Sequence, residues 1–322
     1  MITPLTEPVV GGANGKGTSG DAKVEPEQLH FACLEGALSK VEKLLRAGAG
    51  INHQHGSVAL GIASKDAPLH VACRRGNTSI VEALIKARAA VDQPSNLGHT
   101  PLSVACGEGH PDCVALLCAA GAYVDQTDRH EETPLYLACQ EGHVACAKLL
   151  LEQGANANLT AENNVSPLYI ACQEGQTACV RLLTSHGAAL DLAAINGDTP
   201  LYSACQEGAT ACARILLDAG AAVNIAAING DTPLHIAATL GHDSAVSLLV
   251  AARASLDAVD GSGATALYLA SQAGKIETVR QLISAGANIE LPAQNGRSPL
   301  YVSCLNGYTA CAELLSHARA AL

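Results

Sequence analysis

Aromatic residues are almost missing from this chain. Among 322 positions there is no tryptophan, one phenylalanine (Phe31) and seven tyrosines. A core must therefore be assembled from Leu, Ala, Val, Ile and Cys, side chains small enough to let backbone elements approach closely. Cations are also scarce, with 19 Lys and Arg against 30 Asp and Glu and a formal charge of −11. That balance excludes the basic surface that nucleic acid or an anionic membrane would require. No uncharged apolar run approaches the ~20 residues needed to cross a bilayer. No apolar stretch near Met1 resembles a secretion signal, so the thirteen cysteines point to a reducing compartment. The expectation is a soluble protein of the cytosol or nucleus, with a flexible Gly/Pro/Ser/Thr-rich tail over residues 1–27.

What the chain does have is repetition. TPLYLACQEGHVACAKLL is followed 33 residues later by SPLYIACQEGQTACVRLL and 33 later again by TPLYSACQEGATACARIL. The marker leucine falls at Leu69, Leu102, Leu135, Leu168, Leu201, Leu234, Leu267 and Leu300, always in steps of 33. An earlier copy, QLHFACLEG, places Leu29 forty residues before Leu69, the seven extra residues lying in the linker 53–66. Nine units thus occupy residues 28–322, and a regular period of this length indicates a repeat architecture.

Each unit can be read locally. Thr133 suits a helix N-cap and Pro134 the first helical position, where no N–H partner is needed. Leu135, Ala138 and Cys139 share one helical face. Gly142 interrupts, a second helix carries Cys146, Leu149 and Leu150 inward, and Gly154 ends it. Both helices fall short of the ~12–15 residues at which an isolated helix becomes even marginal in water. They can persist only by burying their faces against neighbouring copies, which makes an elongated stack.

The motif Thr232-Pro233-Leu234-His235-Ile236-Ala237, and the second-helix phrase Val180-Arg181-Leu182-Leu183, resemble the ankyrin repeat over about nine tenths of the chain. The resemblance implies an all-α solenoid of stacked helix-turn-helix units, with β-hairpin-like fingers projecting at right angles to the helices. It also implies a protein-interaction module or scaffold, not an enzyme, binding through the concave face and finger tips. Some units depart from the pattern. Tyr136, Tyr169, Tyr202, Tyr268 and Tyr301 hold the His position, and Ser103 does so once. Arg88, Arg253 and Arg319 replace the helix-ending glycine, so those joints are expected to end differently or to bend. The final unit shows no polar cap.

The cysteines sort into two columns. One runs Cys33, Cys73, Cys106, Cys139, Cys172, Cys205 and Cys304, with Ala238 and Ser271 as substitutes. The other runs Cys113, Cys146, Cys179, Cys212 and Cys311, with Ala245 and Thr278 as substitutes; only Cys118 stands outside. Ala and Ser cannot replace a zinc ligand, and structural zinc favours closer ligand spacing than C-x6-C. Free cysteine is a compact, readily buried hydrophobe. The columns are read as core filler.

Other chemistry is absent from the sequence. GGANGKGTSG, from Gly11, lacks both the first glycine and the Ser/Thr after lysine of a phosphate loop. His53 and His55, with His30 and His70 in phase nearby, are read as a solvated loop and two motif histidines, not a metal site. No nucleophile elbow or zincin motif occurs. No catalytic residue, cofactor or metal is expected.

Binding positions follow the family's surface, unit by unit. Glu108, Glu141, Glu174 and Glu207, with Gln140, Gln173 and Gln206, should line the concave wall, favouring a partner segment that carries Lys or Arg. Duplication alone would produce the same column. Finger tips add Asp128, Arg129, His130, Glu162 and Asn163, then two identical AAINGDTP tips with Ile195-Asn196 and Ile228-Asn229, whose Asn-Gly is a strong tight-turn signal. The Ile pair is expected to pack against the adjacent finger, with partner contact as the alternative. The partner is another protein, with a basic segment, and not nucleic acid or membrane; the chain itself is expected to be a monomer. Two other readings remain open at this point: a substrate-recognition adaptor or scaffold fragment of a larger assembly, and a thiol- or metal-binding protein.

Overall fold

The computed structural model describes residues 25, 27–55 and 65–320. Most of the tail expected over 1–27, the glycine-rich GGANGKGTSG stretch and most of the longer linker 53–66 lie outside the described residues.

Eighteen α-helices are present among the described residues, in nine pairs. The first helices of the pairs are α1 (Glu27–Leu34), α3 (Pro68–Arg74), α5 (Pro101–Gly107), α7 (Pro134–Gln140), α9 (Pro167–Gln173), α11 (Pro200–Gln206), α13 (Pro233–Leu240), α15 (Ala266–Gln272) and α17 (Pro299–Leu305). The second helices are α2 (Leu38–Arg46), α4 (Thr78–Lys86), α6 (Pro111–Ala119), α8 (Val144–Glu152), α10 (Thr177–Ser185), α12 (Thr210–Asp218), α14 (Asp243–Ala251), α16 (Ile276–Ser284) and α18 (Thr309–Ala320). The principal contacts of each helix are with its own partner and with its equivalents one unit away. The result is an all-α repeat stack. Apart from isolated bridges between His55 and Asp66 and between Val259 and Thr265, the described residues contain no strand pairing. None of the described helices is long and apolar enough to cross a membrane.

The helix starts are fixed by side chains. Thr133 Oγ1 accepts the Tyr136 N–H at 3.1 Å, and Thr100, Ser166, Thr199, Thr265 and Ser298 do the same for the residue three on. Where His70 and His235 hold the motif position, the ring joins in fixing the helix start. His235 Nδ1 accepts the Thr232 N–H at 3.1 Å, while its Nε2–H donates to the Ala264 carbonyl of the next unit at 3.1 Å. His70 bonds likewise to the Ala67 N–H and the His99 carbonyl.

The core is a continuous seam. Leu69, Leu102, Leu135, Leu168, Leu201, Leu234 and Leu267 are buried in the first-helix layer, and Leu84, Leu117, Leu150, Leu183, Leu216, Leu249 and Leu282 in the second. Cysteine and alanine fill the space between the layers. All thirteen thiols are free, and all but Cys118 and Cys304 are buried. Burial pushes the Cys33 and Cys205 thiols up to about 12 and those of Cys113 and Cys146 to about 11. Cys179 moves the other way, lowered by its interaction with the Cys139 thiol of the preceding unit against the opposing effect of burial.

Polar clamps run beside the apolar seam. Asp92, Asp125, Asn158, Asp191, Asn224 and Asp257 each accept, through Oδ1, a backbone N–H 31 residues further on, at 2.8–3.1 Å. These residues recur every 33 positions, so successive units are tied by the same side-chain contact. On the opposite side of the pair, His110, His143 and His242 donate from Nε2, and Gln176 from its amide, to a carbonyl at the end of the preceding first helix.

Two expectations about irregular joints need correction. Arg88 and Arg253 adopt φ of 66° and 62°, the left-handed geometry of the glycines they replace. The following Ala89 and Ala254 still bond back to Leu84 and Leu249 and remain buried. Closing the helix and seating that alanine outweigh a left-handed penalty of about 1 kcal/mol, so both helices end as those closed by glycine do. At Arg319 the helix does continue, to Ala320, and the Arg319 Nε pairs with Glu290 Oε1 at 2.9 Å. Glu290 occupies the position that holds the Asx clamp in earlier units.

Among the described residues, no further unit covers the ninth. Tyr301 is 51 % exposed, whereas its equivalent Tyr136 is 7 % exposed, and Cys304, Leu305 and Tyr308 are uncovered with it.

Candidate interaction surface

The fingers are built by short turns that hydrogen-bond to one another. Each is closed on itself: Asp128 N–H to Glu132 O, Ala161 to Val165, Ala194 to Asp198, Ala227 to Asp231. Each then bonds to the preceding finger. Arg129 N–H donates to Leu97 O, Glu162 to His130, Ile195 to Asn163 at 2.8 Å, Ile228 to Asn196 at 3.0 Å and Gly261 to Asn229 at 2.8 Å. The tips therefore form one hydrogen-bonded row, and a tip residue's height is set by its neighbours.

Turn geometry demands a left-handed residue at one place in every finger. Gly197 and Gly230 supply it at φ of 83° and 87°, and a Cβ on Gly197 would meet Ile228 N at 2.9 Å. Glu131 takes the same place with φ of 61°. Asn163 and Asn164 are both left-handed, inside a 3-10 turn over Glu162–Asn164.

Asp128 is buried within its finger and not exposed at the tip. Its carboxylate is buried: Oδ1 accepts the His130 and Glu132 N–H groups at 2.9 Å each, and Oδ2 lies 3.3 Å from His99 Nδ1. An Asp at the start of a tight turn satisfies its own backbone before it reaches outward. Asn196 and Asn229 are exposed, but their side chains are turned onto Asp198 and Asp231 and hold the turn. Arg129 is exposed and makes no ion pair among the described residues; His130 Nδ1 lies 3.4 Å from Glu162 Oε1, both exposed.

The apolar tips were expected to pack, and they do not. Ile195 is 69 % and Ile228 is 80 % exposed. The fingers meet through backbone, which leaves these side chains pointing into solvent.

At the ends of the inner helices, Glu108, Glu141, Glu174 and Glu207 are all exposed. Glu108 lies 3.8 Å from Arg74 Nε, and Arg74 is in turn paired with the buried Asp66 at 3.0 Å. Glu141, Glu174 and Glu207 make no ion pair among the described residues. Gln173 and Gln206 are exposed beside them, while Gln140 is half-buried. Carboxylates of the fingers and of the helix ends act together on two tyrosines at the motif's histidine position. Burial first, and then the carboxylates of Glu132, Glu174 and Asp128, push the Tyr136 hydroxyl up to about 12. Tyr169 is raised by burial and by Asp198 and Glu207, with a bond to Ser203 opposing. Each of these hydroxyls feels both a finger and a helix end.

The four histidines weighed as a metal site do not converge. His30 and His55 stack edge to face at 5.2 Å between ring centroids, His55 turns to Glu27, and His70 is committed to backbone. Among the described residues, no group of three or more His, Cys, Asp or Glu is arranged to hold a metal ion.

A family model spanning three ankyrin repeats matches the chain at residues 29–128, 121–194, 188–260 and 241–321. The chain belongs to the ankyrin-repeat family. The ankyrin repeat domain of human ASB11 is similar in structure, with a TM-score of 0.62 and 31 % sequence identity over 67 % of this chain and 98 % of that one. No functionally curated protein matches at a significant level. Ankyrin repeats generally serve as protein–protein interaction modules, and the fold is typically non-catalytic. In this ankyrin array Tyr136 and Tyr169, at the motif's histidine position, lie within electrostatic reach of both a finger and a helix end.

Proposed function

We propose that this ankyrin array is a non-catalytic protein-interaction module that receives a segment of another protein, in part cationic, between its finger tips and inner-helix ends. One observation carries the reading: two aliphatic side chains, Ile195 and Ile228, are held in solvent by a backbone row, in an array whose inner-helix ends carry three exposed carboxylates that the described residues leave without an ion pair. Interfaces combine an apolar centre with a polar rim, and an unneutralised acidic rim selects for Lys and Arg and speeds encounter at low salt. The contact set is Arg129, His130, Glu141, Glu162, Asn163, Glu174, Ile195, Glu207 and Ile228, with Gln140, Gln173 and Gln206 in support and Glu108 at the edge. Asp128, Asn196 and Asn229 serve by shaping the fingers.

A photo-crosslinking residue placed at Ile195, and another at Arg214 on the exposed face of α12, provide the test in cell extract. Proteins captured from position 195 should be absent from position 214. They should also be lost when Glu141, Glu174 and Glu207 are all replaced by Lys. Identical capture from both positions, unaffected by charge reversal, would overturn the reading.

A further inference from the structure

In all nine pairs the turn between the helices carries a left-handed glycine. At seven of the eight boundaries a side chain of the next unit stands against that glycine. A Cβ on Gly109 would meet His143 at 2.6 Å and one on Gly208 would meet His242 at 2.9 Å, while Asn77, His110, Gln176, Lys275 and Tyr308 fill the same place elsewhere. The eighth boundary is open. Ala209 holds the filling position there, and a Cβ on Gly175 would meet nothing within 4 Å. Gly175 is exposed, whereas Gly142 and Gly208 are half-buried.

Four of the filling side chains also close a hydrogen bond. His110, His143 and His242 donate to the carbonyls of Arg74, Gly107 and Gln206 at 3.0–3.2 Å, and the Gln176 amide donates to Gln140 O at 3.1 Å. Each acceptor lies 36 residues earlier, on the last residue of a first helix, where a carbonyl has no intrahelical partner. Counting back from Ala209, the matching acceptor is Gln173 O, at the end of α9. A methyl group cannot donate, and among the described residues nothing donates to that carbonyl. The result is a notch between the fifth and sixth units. It holds a free carbonyl and an open glycine, with the exposed Glu174 between them in the chain.

Resting on the interaction reading above, we propose that this notch is the subsite for an arginine side chain of the received protein segment. The four hydrogen-bonded boundaries show what fits the place: a planar group presenting an N–H. A guanidinium is planar and carries five N–H donors. One N–H takes Gln173 O, where the clamp is missing, and another turns to the Glu174 carboxylate. Basic side chains commonly bond the last carbonyls of a helix, and a charged donor bonds more strongly than the neutral ones that serve inside the array. A lysine ammonium is a compact, strongly hydrated point charge and fills a flat space less well.

The test uses the full chain and three small probes, methylguanidinium, methylammonium and acetamide, each titrated while nitrogen–proton correlation spectra are recorded. Methylguanidinium should give saturable shifts centred on the amides of Gly175, Gln176 and Ala209. Half-saturation should come at about a tenfold lower concentration than with acetamide, the gain expected of a charge-assisted bond over a neutral one. Ala209→His, which restores the clamp made by His242, should abolish these shifts and raise the melting temperature. Glu174→Gln should bring methylguanidinium down to the level of acetamide. Shifts that survive Ala209→His, or that are as large at Gly142 and Gly208, where the place is filled, would overturn the subsite, as would the lack of any saturable shift. Equal affinity for methylammonium would overturn the assignment to arginine. Capture from Ile195 is a separate readout, so a failure at Gly175 leaves the crosslinking experiment to decide the interaction face.

Discussion

Asn158 Oδ1 accepts the backbone N–H of Ala189 at 2.8 Å, across the boundary between two units. Asp125 and Asp191 make the same contact to Asn156 and Ala222 one unit to either side. Alanine at position 158 returns that N–H to water without burying it. The expected cost is about 1 kcal/mol, the ordinary net worth of one hydrogen bond. Urea denaturation of Asn158→Ala measures it; Asn158→Asp, which keeps an acceptor used elsewhere in the row, should cost less than the alanine.

Left-handed backbone at a non-glycine residue makes Glu131 and Gly197 opposite cases. Glu131→Gly should stabilise by about 0.5–1 kcal/mol, the relief of a left-handed Cβ less the added freedom of the unfolded chain. Gly197→Ala should destabilise by more than that, because its Cβ would press on Ile228 N at 2.9 Å. Thermal melts showing both changes in the same direction would contradict the finger geometry.

Leu168 is fully buried in the middle of the seam. Leu168→Ala should cost about 2–5 kcal/mol. In an array whose units interact chiefly with their neighbours, such a loss is felt locally. Equilibrium unfolding should then broaden or split into two phases, with hydrogen exchange accelerated around α9 before the terminal units change.

His70 gives stability a pH dependence with a definite sign. Burial, with Arg74 adding to it and Asp66 opposing, holds its pKa below the ordinary 6.5. The unfolded chain therefore binds more protons just below that value, so stability is level above pH 6.5 and falls as the pH drops towards the folded-state pKa. Protonation also removes the acceptor that Nδ1 offers the Ala67 N–H. Ala67→Thr combined with His70→Tyr recreates the arrangement of Thr133 and Tyr136, and should flatten the part of the profile that falls below pH 6.5.

Native-state thiol labelling should be dominated by Cys304, which is exposed, followed by half-buried Cys118. The other eleven of the thirteen are buried and should react only as the array opens. Rapid modification of Cys139 or Cys179 in the folded chain would refute the packing role of the columns.

Period carried most of the legible information. Leu135 and Cys139 recur with their neighbours, so their burial followed from spacing and from the alanine and serine that replace cysteine elsewhere. The clamp row was equally periodic, yet Asp92, Asp125 and Asn158 sit among polar linker residues where an amide and a carboxylate look like ordinary solvated side chains. Aligning the linkers would have exposed it. Asp128 was misread because charge alone does not say whether a carboxylate turns outward or back onto its own turn; Asp260, which accepts the Ser262 and Ala264 N–H groups in the same way, is the signal. Ile195 and Ile228 were expected to pack because apolar tips usually do. The fingers join through main-chain bonds, and that cannot be seen in side-chain pattern. Arg88 and Arg253 show the same limit: a local conformational preference lost to the tertiary requirement that Ala89 and Ala254 be seated.

Every clamp in the described array bridges a single boundary, and acceptor and donor return together in the next block. Excising one whole 33-residue block, such as 166–198, would remove Ala189 and Asp191 together and set Asn158 against the Ala222 N–H at the new junction. Lineages can thus lengthen, shorten or reorder such a stack like interchangeable slats, altering what its surface offers while the joinery stays the same. The paired AAINGDTP tips are what one such copying event looks like before the two copies have diverged.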